Sequence, residues 1–264
     1  MSLPRRRSLV QCARKFDALI VADDVYDHLQ WRSEDNTHQP SPSLPTAHLP
    51  RVVDVDASLE GGTDRPGADG FGNAMSNGSF SKVLGPGLRV GWTEGTPKFA
   101  SAMPNVGSTY SGGGPSQLSA TIISDLLRSG FVQRHILETL QPAYSRRHAL
   151  LLQAIRKYLL PLGCGLVQSD RTVVGGYFVW LTLPEGVVAE ELIRKCKEEE
   201  NVIIAPGHLF EIPGDKSNSF AGYVRFSFAW EEEKAMQEGV RRVSRALESM
   251  RQDGKLTVSD RAKS

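Results

Sequence analysis

The chain has 264 residues, 40% hydrophobic and 23% charged, with a formal net charge of +1. That length suits one large domain or two unequal ones, and the near-neutral balance gives no argument for a nucleic-acid partner or a membrane surface. Three widely spaced cysteines, Cys12, Cys164 and Cys196, fit a reducing compartment, offer no metal-ligand spacing and are expected to be buried thiols. No apolar run approaches the length of a bilayer span and the start Met-Ser-Leu-Pro-Arg-Arg-Arg lacks an apolar signal core, so the cytoplasm is the default expectation.

Ser2 and Pro4 read as the cap and first turn of a helix whose Leu9, Cys12, Ala13 and Phe16 recur at helical spacing to about Asp17, with Arg5 to Arg7 on its wet face. Ala18 to Ala22 follows at once, a short apolar run of the kind found in strands covered on both faces. A helix feeding such a strand is the second half of a βαβ unit, and the first strand is not in the sequence. Trp31 to Pro50 and the Gly/Asp-rich stretch up to Asn73 read as irregular surface insertion or lid, spanning about residues 31–73 and interrupted by a predicted strand at Arg51 to Val55. Predicted strands at Ala74 to Phe80 and Leu88 to Glu94 flank a lysine-bearing loop, and a helical pattern runs from Pro115 to about Leu160, broken near Gly130.

Beyond Pro161 the order changes to a strand at Gly175 to Leu183, a helix at Val188 to Glu200, strands at Val202 to Ala205 and Gly222 to Trp230, and a helix at Glu231 to Met250. That last helix carries Ala235, Met236, Val240, Val243 and Leu247 on one face, and the tail after Arg251 is expected to fray. Residues 1–140 thus read as an α/β domain and residues 141–264 as a smaller α+β domain.

The stretch Ser79-Phe-Ser-Lys82-Val-Leu-Gly-Pro-Gly-Leu-Arg89 sets one lysine among hydroxyls and glycines, where backbone can approach a bulky ligand and donors suit an anion. Asp23 ends the first predicted strand and Lys82 lies just past the Ala74 to Phe80 strand; in open α/β sheets ligands gather outside such carboxyl ends. Taken singly these residues have ordinary readings: Asp23 as a turn or cap residue, Tyr26 as packing, Lys82 as a solvated loop lysine, Arg225 as a strand-edge charge. None of these readings explains the spacing of the set. The spaced glycines from Gly85 to Gly91 lack the order of a nucleotide-binding loop and open a strand rather than a helix.

The combination Asp23-x-x-Tyr26, Ser79-Phe-Ser-Lys82, Pro86-Gly-Leu-Arg89-Val-Gly-Trp92, Gly175-Gly-Tyr-Phe-Val-Trp180 and Val224-Arg225-Phe-Ser-Phe228 resembles the class I/II aminotransferases, pyridoxal phosphate enzymes of fold type I, over nearly the whole chain. The resemblance implies an α/β fold with part of a mostly parallel large-domain sheet and a smaller α+β C-terminal domain. It implies Lys82 as the lysine that bonds the cofactor aldehyde and shuttles a proton, Asp23 on the pyridine nitrogen and Tyr26 on the ring's 3-oxygen. Arg89, Ser79 and Ser81 become phosphate ligands, and Arg225 the fork for the substrate α-carboxylate. The implied activity is transamination between an amino acid and a 2-oxo acid, in a homodimer. A carbon–sulfur lyase on the same scaffold, or a non-catalytic partner of a longer homologue, stay open as alternatives. Family members carry further large-domain strands ahead of the Asp-x-x-Tyr strand, so the sheet is expected to show an unpaired edge and an uncovered apolar face.

Overall fold

The computed structural model describes residues 1–32, 50–112, 114, 116–167, 173–215, 217 and 219–252. Met1–Pro142 together with Val173–Gly176 form one unit, and the described residues from Ala143 onward, apart from Val173–Gly176, form another.

In the first unit, helix α1 (Leu3–Lys15) begins with Pro4 in its first turn, where a missing amide hydrogen costs nothing. Its buried stripe is Val10 and Ala13, with Leu3 packed beside them; Cys12 and Phe16, expected on that stripe, are exposed. Cys164 and Cys196 are buried as expected. Strand β1 (Ile20–Asp23) alternates, with Ile20 and Ala22 packed against the core and Val21 65% exposed. It is therefore covered on one face only and, among the described residues, lies at the edge of a three-stranded sheet ordered β1-β3-β4.

Strand β2 (Gln30–Arg32) shows that Trp31 belongs to regular structure, contrary to the insertion reading, while residues 33–49 of that reading lie outside the described residues. The expected strand at Arg51 to Val55 is instead helix α2 (Val52–Ser58). The alternation Val53-Asp-Val-Asp56 mimics a strand, but two local interactions select the helix. The Arg51 amide donates to Asp54 Oδ2 at 2.8 Å as an N-terminal cap, and a helical turn brings Val52 and Val55 together onto Val10 and Ala74. Each such side chain withdrawn from water contributes roughly 1.5–3 kcal/mol.

Asp56, one turn on, is almost fully buried and accepts from Arg14 Nε and Nη2 at 3.1 and 2.9 Å and from the Asn73 amide at 2.6 Å. This carboxylate ties α1 and α2 to the residue that enters strand β3 (Ala74–Ser79). β3 pairs parallel with β1, in the register Ile20↔Ala74 to Asp23↔Asn77, and antiparallel with β4 (Gly91–Glu94), Ser76↔Glu94 to Ser79↔Gly91. The described sheet is thus mixed rather than mostly parallel. Short helices α3 (Pro97–Ala102) and α4 (Gly107–Tyr110) lead to α5 (Gln117–Arg128); Gly130, in left-handed backbone, breaks the pattern before α6 (Phe131–Arg134).

Helix α7 (Gln141–Tyr158) leads into the second unit, where strand β5 (Gly165–Leu166) follows. The single strand expected at Gly175 to Leu183 is two: β6 (Val173–Gly175), which pairs with β2, and β7 (Phe178–Thr182). Gly176, with φ 77°, makes the bend between them, a backbone position that glycine adopts without strain. Helix α8 (Ala189–Glu200), strands β8 (Ala205–Pro206) and β9 (Tyr223–Ser227), and helix α9 (Glu233–Gln252) complete a four-stranded antiparallel sheet ordered β5-β7-β9-β8 with helices packed on it. On α9, Met236, Val240, Val243, Leu247 and Met250 recur at alternating steps of four and three and are buried, while Ala235 is exposed. The expected frayed tail lies outside the described residues.

The buried ion pair yields a prediction. Arg14→Met leaves the Asp56 carboxylate buried without its cation, and the denaturant midpoint should fall by the equivalent of roughly 3–5 kcal/mol. A loss under about 1 kcal/mol would show that the pair does not hold the sheet's entry.

Candidate active site

Parallel pairing of β1 and β3 brings their carboxyl ends side by side. Asp23 closes β1 opposite Asn77, whose side-chain amide donates to Asp23 Oδ1 at 3.0 Å. The Asp24 amide donates to the Asn77 carbonyl at 3.0 Å, and Ser76 Oγ donates to Asp24 Oδ2 at 2.7 Å, so the chain leaving β1 is bonded to β3 just ahead of Ser79. The turn that follows carries Tyr26, closed by the Leu29 amide donating to the Tyr26 carbonyl at 2.8 Å.

β3 runs directly into a 3₁₀ turn, Phe80–Lys82, capped by Ser79, whose Oγ accepts the Ser81 amide at 3.1 Å. The Ser79 hydroxyl keeps its proton for another acceptor. Lys82 closes this turn with Nζ 5.8 Å from the centroid of the Tyr26 ring. A second turn, Pro86–Leu88, ends on Arg89 in left-handed backbone (φ 52°, ψ 40°), a conformation costing a non-glycine residue on the order of 1 kcal/mol. Arg89 Nη1 donates to the Pro86 carbonyl at 3.1 Å, and the Phe80 amide donates to the Val90 carbonyl at 3.1 Å. That bond, with the Ser79↔Gly91 pair, returns the arginine's segment to the side of the serine turn.

Five expected residues therefore share one unit with Lys82 at the ends of paired strands: Asp23, Tyr26, Ser79, Ser81 and Arg89. Their chemistry fits pyridoxal phosphate: an amine for the aldehyde, a carboxylate for the ring nitrogen, a phenol for the ring oxygen, and hydroxyls with a guanidinium for the phosphate. Three neighbours escaped sequence reading. Asn77 fixes the Asp23 carboxylate, Gly176 lies where an added Cβ would stand 3.7 Å from the Tyr26 ring, and Gly78 leaves room for the Trp92 indole, which an added Cβ would meet at 2.1 Å. Only the motif Gly175-Gly176 hinted at the second.

Arg225 lies in the other unit, on β9, between β7 and β8, so it is not the strand-edge charge of the ordinary reading. Val224 and Phe226 point to the buried side of that sheet; Tyr223 and Arg225 point to the other. The Arg225 guanidinium carbon sits 3.8 Å from the Phe178 ring centroid and 4.1 Å from that of Phe210.

Comparison with known proteins places this geometry in context. The model of the family described as aminotransferase class I and II matches residues 1–243. An uncharacterized protein of Saccharomyces cerevisiae is 40% identical over 240 residues, covering 90% of this chain and 50% of that protein. The 2-aminoadipate transaminase of Thermus thermophilus is 29% identical over 250 residues, covering 94% of this chain and 53% of the relative. The crystal structure of α-aminoadipate aminotransferase from Thermus thermophilus, complexed with N-(5'-phosphopyridoxyl)-L-leucine, superposes with a TM-score of 0.72 at 27% identity, covering 95% of this chain and 55% of that one. The chain spans about half the length of the curated relatives it matches.

Beside the Tyr26 turn lies a charge cluster outside every quoted motif. Arg51 donates to Asp54 Oδ1 at 3.0 Å and to Glu94 Oε1 at 2.6 Å, while Asp27 stands 3.8 Å away with its Oδ2 accepting no hydrogen bond. Burial raises the Asp27 carboxyl to about 7, reinforced by the Asp24 charge and opposed by Arg51 and Arg6. Hydrogen bonding to Arg51 holds Glu94 below its ordinary value.

The sign for stability follows. Between about pH 4 and pH 7 Asp27 is protonated when folded and ionised when unfolded, so folding stability falls as pH rises through this window and levels off above it. In thermal unfolding, Asp27→Asn should flatten the slope between pH 5 and pH 7 and raise the midpoint most at pH 8. An unchanged slope would remove Asp27 as its source.

Proposed function

Because the chain belongs to the class I and II aminotransferase family, we propose that it binds pyridoxal phosphate in its first unit and transfers an amino group between an amino acid and a 2-oxo acid. The carrying observation is the parallel register that ends β1 on Asp23 beside β3, with Lys82 Nζ 5.8 Å from the Tyr26 ring. Support also comes from the aminotransferase of Thermus thermophilus whose crystal structure contains a phosphopyridoxyl-leucine compound.

When bound, pyridoxal phosphate supplies an electron-withdrawing ring that takes up the electron pair left at the substrate α-carbon. Lys82 is the proposed covalent anchor and the base that carries the proton from that carbon. Asp23, oriented by Asn77, would hold a proton on the ring nitrogen, and the Tyr26 phenol would donate to the ring oxygen. Ser79, Ser81 and Arg89 are the proposed phosphate donors, all on the two turns that follow β3. Arg225 is the proposed ligand of the substrate α-carboxylate.

The test is turnover. The 264-residue chain given pyridoxal phosphate, an amino acid and 2-oxoglutarate should form the new amino acid, and Lys82→Ala should lower the rate by at least about 10²- to 10⁴-fold, the usual contribution of a positioned acid–base group. Equal rates for the two proteins would rule out the assigned role.

A further inference from the structure

Two aromatic rings pack against the Arg225 guanidinium, its central carbon lying 3.8 Å from the Phe178 ring centroid and 4.1 Å from that of Phe210. Phe178 comes from the neighbouring strand β7, and Phe210 from the 3₁₀ loop Gly207–Phe210 that follows β8. Both flanking rings are themselves placed. Phe210 meets Trp180 edge-on with centroids 5.0 Å apart, and Trp180 is the register partner of Arg225 on β7. Gly207 lies so close to Phe220 and Tyr223 that a Cβ there would stand 2.3 Å from the Phe220 carbonyl oxygen, which seats the loop carrying Phe210.

Rings packed on a guanidinium keep bonding partners off the faces they cover and direct them to its own plane, where all five N–H groups lie. A carboxylate is planar and matches that fork with two coplanar oxygens. A tetrahedral oxyanion must carry a third oxygen out of the plane, toward the negative face of a flanking ring.

We infer that Phe178 and Phe210 are positioning residues that fix the Arg225 guanidinium edge-on, making it selective for planar carboxylates over tetrahedral oxyanions. This rests on the proposed role of Arg225 as a carboxylate ligand and adds the groups that set its orientation and selectivity. With the stem already immobilised, the ligand does not bear the cost of ordering a flexible side chain, and losing either ring should weaken binding by roughly 3- to 10-fold.

The experiment follows the Arg225 Nε–Hε resonance of the full chain by NMR while acetate or methanesulfonate is titrated. In the parent protein that resonance should show ring-current displacement, respond to acetate, and report tighter binding of acetate than of methanesulfonate. Phe178→Leu and Phe210→Leu should each reduce the ring-current displacement, weaken acetate by about 3- to 10-fold and narrow the preference. Variants that bind both anions as the parent does would overturn the inference while leaving Arg225 as a carboxylate ligand. An Arg225 resonance indifferent to acetate in the parent protein would overturn both. Phe210 is 37% exposed on a loop, so Phe210→Leu decides the matter even if Phe178→Leu fails to fold.

Discussion

The arrangement depends on one backbone interaction, the parallel pairing of β1 with β3. Parallel strands point their carboxyl ends the same way, so a residue that ends one and a turn that leaves the other meet without further instruction. The register Asp23↔Asn77 does the rest: it sets a carboxylate beside an amide that orients it, one short turn from Lys82. A slip of one residue would carry Asp23 to the opposite face of the sheet. The buried Arg14–Asp56 pair guards that register, since Asp56 also accepts the amide of Asn73, the residue immediately before β3.

The second unit uses the other sheet grammar. Antiparallel strands β7 and β9 place Phe178 and Trp180 on the same face as Arg225, while the opposite face, Val224 and Phe226, packs the core. One strand thereby serves stability on one side and the proposed recognition on the other. The loop after β8 supplies the second ring, so the orientation of the arginine depends on a connecting segment seated through the buried Gly207.

Much of this was legible in the sequence, for physical reasons. Helices α8 and α9 announce themselves through a sustained helical period, and the motif residues from Asp23 to Arg89 fall where hydroxyls, glycines and strand ends would put them. Helix α2 was not legible, because Val-Val-Asp-Val-Asp alternates like a strand, and the packing of Val52 and Val55 on Val10 and Ala74 that favours the helix joins segments far apart in sequence. The exposure of Cys12 and Phe16 was hidden for a related reason: helical spacing gives a stripe but not which neighbour covers it. The Asp27 cluster, the two rings on Arg225 and the nearness of Gly176 to the Tyr26 ring come from chain segments brought together only by folding, and no local pattern encodes them.

The convergence of Asp23, Tyr26 and Lys82 is most directly tested by chemical capture. Incubation with pyridoxal phosphate, reduction with borohydride and peptide mapping should place the phosphopyridoxyl label on Lys82 in preference to exposed lysines such as Lys98, with Asp23→Ala weakening the capture. Label spread evenly over surface lysines, or concentrated on Lys98 with Lys82 unmodified, would contradict it.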